Sequence, residues 1–422
     1  MSVTANEPLN VQLKRQALAL AQARLRDDAL TPVRRDALKL LEHTDFPDRR
    51  SEQWKYTSLQ PLSAGHLQRE ATGSAPLPAA LAAHRLVLIN GRYQPELSQL
   101  PENVSLTRFD GGEALAAETT DDTLRTPFAW LNNATLHDGL HLSVADDTVV
   151  AAPIEVLLLA SDTEAAHCHT RLRVSLGRHS KLTVIERYAA SGPVLTNAVT
   201  ELVAAPGSSL THYRLQAENA ESLHIGTLVI APQRDSQVQS FQLMQGNALR
   251  RNDVRAILAE SGAQLALNGI FVGRGTTHID NQITVEHRAP HSHSEQLYKG
   301  MGGDSAKLVF NGRIHIFAGA KGTNADLSNN NLLLTPGAEI NTKPELEIYN
   351  DDVKCSHGTT CGQLDAGALF YLRSRGVEAA EAKRMLGFGF VNELLAALPD
   401  EAVVEWARPW LEQALTDAEP VA

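Results

Sequence analysis

The residues best suited to chemistry lie in positions 343–358, where a strand-like run closes on Lys354-Cys355-Ser356-His357-Gly358. Side chains alternate faces along a strand, so Cys355 and His357 project the same way, about 6 to 7 Å apart. A thiol and an imidazole on one face are a soft and a borderline ligand, suited to a metal or sulfur species whose other ligands come from elsewhere. The same pair also reads as a buried structural cysteine beside a hydrogen-bonded histidine. Three other clusters carry weaker signals. Asp351 and Asp352 are adjacent, so on a strand they face opposite sides and do not flank one bond as paired catalytic carboxylates do. His287, His291 and His293 surround Pro290 and could ligate zinc if the loop curled; a solvated loop is the plainer expectation. His167-Cys168-His169 places two imidazoles on one face and the thiol on the other, the pattern of a strand edge, so at most two of the three serve one ion.

Several chemistries are excluded by what is missing. There is no Gly-x-x-x-x-Gly-Lys-Ser/Thr loop to cradle phosphates and no Gly-x-Ser-x-Gly elbow. No Cys-x-x-Cys pair occurs, and the three cysteines, Cys168, Cys355 and Cys361, are too few for an all-cysteine iron–sulfur site. Any cluster held here needs histidine, carboxylate or a partner's cysteine. The formal charge of −11 makes nucleic-acid backbones and anionic membranes poor partners. With 43% hydrophobic and 21% charged residues, a polar start and no apolar run long enough to span a bilayer, the chain reads as a cytoplasmic protein with reduced thiols.

The elements that must position these residues fall into three stretches. Leu13, Ala17, Leu20 and Ala21 recur at helical spacing, and Thr31-Pro32 opens a second helix through Leu41. Glycine and prolines in positions 73–78 mark a connection, so residues 1–80 form an N-terminal helical domain. Asn90-Gly91, between Leu86-Val-Leu-Ile and Arg92-Tyr93, is a tight hairpin turn. A weak repeat follows, with aliphatic residues at Leu182, Leu210, Val238, Leu265, Leu308 and Ile340, spaced by 28, 28, 27, 43 and 32 residues. The last two intervals leave room for insertions. Units this short bury their apolar face only by stacking, which favours a β-solenoid over about 140–372 within a core of 81–373; a β-sandwich with recurrent turns is the alternative. Helical spacing returns in 374–422, where two amphipathic runs bring Trp406 and Trp410 either to the solenoid or to another protein.

Longer motifs carry a resemblance. Thr342-Lys-Pro-Glu-Leu-Glu-Ile-Tyr-Asn-Asp-Asp-Val-Lys-Cys-Ser-His-Gly358 and Phe370-Tyr-Leu-Arg-Ser-Arg-Gly376 resemble the signature of the SUF iron–sulfur assembly scaffolds, the SufB/SufD family. Glu52-Gln-Trp-Lys-Tyr-Thr57, Phe310-Asn-Gly-Arg-Ile314 and Asn329-Asn-Asn-Leu-Leu333 match upstream. The short chain and paired N-terminal helices are closer to the SufD branch than to the SufB-type paralogue. The resemblance implies a right-handed parallel β-helix flanked by helical segments, and a complex with SufB, through the β-helix, and the ATPase SufC, on the C-terminal helices. It implies a non-enzymatic scaffold in which His357, and with it Cys355, binds a transient iron–sulfur cluster or iron shared with SufB. Reduced flavin is implied only for the whole complex, and Cys361, His287, His291 and His293 receive no role from it. Exposed β-helix edges suggest a homodimer when the chain is isolated. The competing class is a β-helix enzyme acting on polysaccharides, which needs charged residues on successive rungs; only Asp351-Asp352 comes near.

Overall fold

The computed structural model describes residues 7–109 and 126–415. Two helices, α1 (Leu9–Arg24) and α2 (Thr31–His43), open the chain. The hairpin β1 (His84–Ile89) and β2 (Arg92–Tyr93) turns at Asn90 and Gly91, with φ of 50° and 75°. Both angles lie in the left-handed region that Asn and Gly tolerate, which is why that dipeptide marks the turn. After β3 (Ser105–Arg108) and α3 (Pro127–Thr135) come β4 (Leu140–Val144), β5 (Ile154–Ser161), β6 (Ala166–Leu176), β7 (Lys181–Ser191) and β8 (Val194–Ala204). The series continues with β9 (Ser209–Gln216), β10 (Leu223–Pro232), β11 (Gln237–Gln245), β12 (Leu249–Leu258), β13 (Gln264–Gly273) and β14 (His278–His287). It closes with β15 (His293–Gly302), β16 (Lys307–Ile316), β17 (Asn324–Leu333), β18 (Glu339–Ile348) and β19 (Lys354–Gln363), then α4 (Ala366–Ser374), α5 (Ala379–Ala396) and α6 (Glu401–Leu415).

From β5 onward odd strands pair in parallel with odd strands and even with even, so the chain alternates between a ten-stranded and a nine-stranded sheet. The result is a parallel β-solenoid of about 8 turns. Inward residues of the two sheets, among them Leu182, Val254, Phe271, Leu308 and Phe310, form one continuous core. Register explains the sequence repeat and corrects one part of it. Leu182, Leu210, Val238 and Leu265 stack directly on the ten-stranded sheet, whereas Leu308 and Ile340 stack on the nine-stranded sheet. The long interval after Leu265 is therefore a change of sheet, not an insertion. The Leu265 column continues through Ser294 and Ala325 to Cys355.

Helices cover the outer face of each sheet. Leu13, Ala17 and Leu41 of the N-terminal helices, with Phe128 and Leu131 of α3, pack near Leu195, Leu223 and Leu249 of β8, β10 and β12. Val391, Leu394, Val403 and Leu411 of α5 and α6 pack on Tyr213, Phe241, Ile270 and Met301 of the ten-stranded sheet. Trp410 Nε1 donates to Gln245 Oε1 at 2.7 Å, and the Arg187 guanidinium lies 5.2 Å from the Trp406 ring. Both tryptophans thus pack onto the solenoid. Helical structure begins at Ala366, capped by the Asp365 carboxylate on the Ala368 N–H, so the strands stop short of residue 372.

Candidate functional site

The last turn of the solenoid, β18 and β19, ends both sheets among the described residues, and no helix covers it. Strand alternation points Cys355, His357, Thr359 and Cys361 toward the core side, stacked on Ala325, Leu327, Asn329 and Asn331 of β17. The β17 residues with which Cys355, His357 and Cys361 stack are buried; on β19, Cys355 is half-buried and His357 and Cys361 are exposed, because no further turn lies over them. Ile340 and Leu346 of β18 are likewise only partly covered. The solenoid therefore ends in an open cross-section of its own core, lined by aliphatic side chains, two thiols and an imidazole.

The backbone edges of the two strands differ. Glu339 N–H donates to Ala306 O at 2.9 Å, so alternate residues from 339 bond to β16, while 340, 342 and 344 face the open edge. Pro344 consequently loses no ladder bond, the placement that an edge strand allows. Lys354 N–H donates to Thr323 O at 2.9 Å, which directs the N–H groups of 355, 357, 359 and 361 to the open edge of β19. No proline interrupts that row. β18 is blunted and β19 is open to pairing.

Burial, with the Asp326 carboxylate adding to it, pushes the Cys355 thiol up to about 11. Burial raises the Cys361 thiol as well. Both are protonated at neutral pH and become ligands when a metal displaces the proton. Among the described residues no three His, Cys, Asp or Glu side chains are grouped so as to hold a metal ion. Cys355 and His357 therefore do not by themselves make up a three-ligand site among the described residues. Cys361, to which the sequence reading gave no role, lies on the same face of β19. Positions 355, 357 and 361 share strand parity, and that was the available signal.

The other sequence candidates go elsewhere. His287 is buried rather than solvated: its ring nitrogens bond Ser292 Oγ at 2.7 Å and Ser294 Oγ at 2.9 Å, and burial lowers its pKa to about 4. His291 lies in the turn and His293 opens β15, so the three do not form one loop. His167, Cys168 and His169 sit inside a sheet rather than at its edge, with β8 on one side and Glu70 bridged to His167 on the other. Cys168 is buried, and its thiol is pushed up to about 12. Asp351 and Asp352 occupy the exposed turn before β19. Charged residues do line successive rungs elsewhere, contrary to the sequence reading, in a cleft of about 530 Å³ on the outer face of the nine-stranded sheet. Each cation of the lining is paired, Arg255 with Glu286 at 2.8 Å, Arg313 with Glu347 at 2.5 Å and Lys343 with Glu52 at 2.8 Å and with Glu345, and Asp253 pairs with Arg251.

The longer motifs converge on the same end. Asn311 and Gly312 of β16 lie beside Lys343 and Pro344, and Asn329 and Asn331 of β17 beside Thr359 and Cys361. The Glu52 to Thr57 segment crosses the outer face of the nine-stranded sheet from β12 to β18. Trp54 lies under the Arg251 guanidinium at 3.9 Å, Thr57 Oγ1 donates to Asp280 at 2.5 Å, and Glu52 reaches Lys343 on β18. Residues 158–390 match the family model described as SUF system FeS cluster assembly, SufBD core domain. The chain belongs to the SufBD family. An iron–sulfur cluster assembly SufBD family protein of Synechocystis is 31% identical over 92% of this chain and 91% of its own. The iron–sulfur cluster assembly protein SufD of Escherichia coli is 30% identical, covering 88% and 90%, and SufD of Bacillus subtilis is 27% identical, covering 65% and 63%. In SufBD terms, the matched core runs from β5 into α5 and takes in the whole open end.

Proposed function

We propose that this chain is a non-catalytic, SufD-type scaffold subunit of the SUF system that holds a nascent iron–sulfur cluster, or its iron, at the open end of its β-solenoid. The observation that carries the reading is the convergence of the family motifs on the last turns, where they present Cys355 and His357 on an uncovered strand with an unpaired edge. Imidazole and thiolate suit iron, and a ligand set that is incomplete in one chain is completed by a partner. A SufB-type subunit pairs along β19 and supplies the remaining ligands, and a subunit boundary of this kind opens to release its cargo. In the isolated chain, two copies pair there instead. The SufC ATPase docks on the exposed side of the C-terminal helices and supplies the ATP energy. Similarity to SufD proteins of two bacteria favours the SufD type over the SufB type. The paired charges of the outer cleft disfavour a polysaccharide-active enzyme. No helix among the described residues is long and apolar enough to cross a membrane, in keeping with work in the cytoplasm. Flavin, where present, belongs to the assembled complex.

Anaerobic reconstitution, read by visible absorbance with iron and sulfide analysis, tests this on the chain alone and co-expressed with SufB and SufC. A cluster only in the complex is expected. His357→Ala should lower its yield by about tenfold or more while SufB and SufC still co-purify, since losing even an outer-shell partner of a ligand typically costs about 10- to 100-fold in metal affinity. An unchanged yield, or a stoichiometric cluster on the isolated chain, overturns the shared site.

A further inference from the structure

The inner face of the ten-stranded sheet carries a polar column along the solenoid axis. Register stacks Glu186, Arg214, Gln242, Gly269, Tyr298 and Asn329 on successive turns, and the column ends at Thr359 on β19. At one end its polar groups are satisfied. Glu186 accepts from the Tyr188 hydroxyl at 2.6 Å and the Thr200 hydroxyl, and its other oxygen contacts His212 Nε2 at 2.9 Å. They are satisfied at the other end too: Asn329 Nδ2 donates to Tyr298 O at 3.3 Å, and its Oδ1 accepts from Asn331 Nδ2 at 2.6 Å and from the Thr342 hydroxyl at 2.8 Å.

The middle of the column is different. Gln242 is 1% exposed and neither of its amide atoms has a protein partner. The Tyr298 hydroxyl, the Arg214 Nη1 atom and both amide atoms of neighbouring Gln296 are also buried and unbonded, while Arg214 Nε faces Glu186 at 3.6 Å. Gly269 shows which way the tyrosine lies: a Cβ there would stand 2.4 Å from Tyr298 Cε1, so the ring leans over the Gly269 turn, the one that separates Tyr298 from Gln242 in the column. Adjacent turns are about 4.8 Å apart, so a ring that leans over the Gly269 turn carries its hydroxyl past that turn, into the stretch of core where Gln242 lies. Each buried polar group left unpaired costs about 1–3 kcal/mol, and a water with about two to four polar partners removes that cost.

We infer that the core between Arg214 and Tyr298 is a water-binding site, a short row of ordered waters bonded to the Arg214 guanidinium, the Gln242 amide and the Tyr298 hydroxyl. The row joins the Glu186 and Arg214 cluster to the Tyr298 hydroxyl; the Tyr298 backbone carbonyl separately accepts from Asn329, beside the strand that bears Cys361 and His357. It stands independently of the proposed function. A crystal structure of the full chain that resolves ordered solvent should show water within hydrogen-bonding distance of the Gln242 amide and the Tyr298 hydroxyl. Tyr298→Phe, which removes only the hydroxyl, should lose one long-lived water by oxygen-17 magnetic relaxation dispersion, and Gln242→Leu at least one. Wild-type density with Gln242 and Tyr298 bonded directly to protein atoms, or a dry gap between them, overturns the inference. So does a long-lived water count unchanged in both variants.

Discussion

At the scale of the residue, the three thiols differ by environment rather than by sequence context. Cys168 is buried on the inner face of its sheet, beside Ala160, Val194 and Thr196, and its proton is held up to about 12; Cys355 is half-buried at about 11, and Cys361 is exposed. The thiolate is the reactive species, so alkylation of the native chain should proceed at Cys361 first, then Cys355, with Cys168 silent until unfolding. Mass spectrometry of a timed iodoacetamide reaction reads that order, and early labelling of Cys168 would show that the first turns of the solenoid open. His287 gives a pH dependence with a definite sign. Its folded pKa of about 4 lies below the unfolded value of 6.5, so its contribution is complete above pH 6.5 and is lost as the pH falls toward 4. A shift of that size corresponds to at most about 3 kcal/mol. Urea denaturation at pH 7 and pH 4.5 should show a smaller loss of stability in His287→Gln than in the wild type. Equal losses would place the acid sensitivity elsewhere.

At the scale of the element, β19 is decisive because its outward N–H groups are a template for another strand. Proline at 359 removes one of those donors and leaves the bonds to β17 intact, by the same logic that admits Pro344 into β18. Thr359→Pro should therefore keep its circular dichroism and melting temperature within a few degrees of the wild type while pairing through this edge falls by tenfold or more. Sedimentation of the isolated chain and co-purification with SufB measure it. Assembly that persists undiminished would move the interface away from β19. The parity that makes the variant informative was legible in the sequence, since Cys355, His357 and Cys361 are separated by even intervals. That β19 is the last strand was not, because an edge is defined by the absence of a neighbour.

At the scale of the whole molecule, the solenoid is a two-sided core clad by helices at opposite ends of the chain. α5 and α6 bury Tyr213, Phe241, Ile270 and Met301, so deleting residues 374–422 strips an apolar sheet face. Such a truncation should be recovered mainly in the insoluble fraction, because exposed apolar patches of that extent drive association. A soluble, monomeric truncation would mean that the helices contribute little to the fold. Docking of SufC is better examined with exposed positions such as Met385, 45% accessible on the outer side of α5, than with the deletion.

The sequence by itself determined the local rules of this protein. Turn residues at Asn90-Gly91, the recurring aliphatic column and the alternation that aligns Cys355 with His357 follow from backbone sterics and the two-residue period of a strand, which need no distant partner. It also held the family motifs from which the scaffold reading began. Tertiary structure decided which sheet each strand joined, so that Leu308 and Ile340 fell on the opposite sheet from Leu265, and it buried His287 in the core. It decided that Trp406 and Trp410 pack on the solenoid and that the last turn stays uncovered. Those outcomes depend on contacts between segments far apart in the chain, and burial, unlike periodicity, is a property of what lies on top.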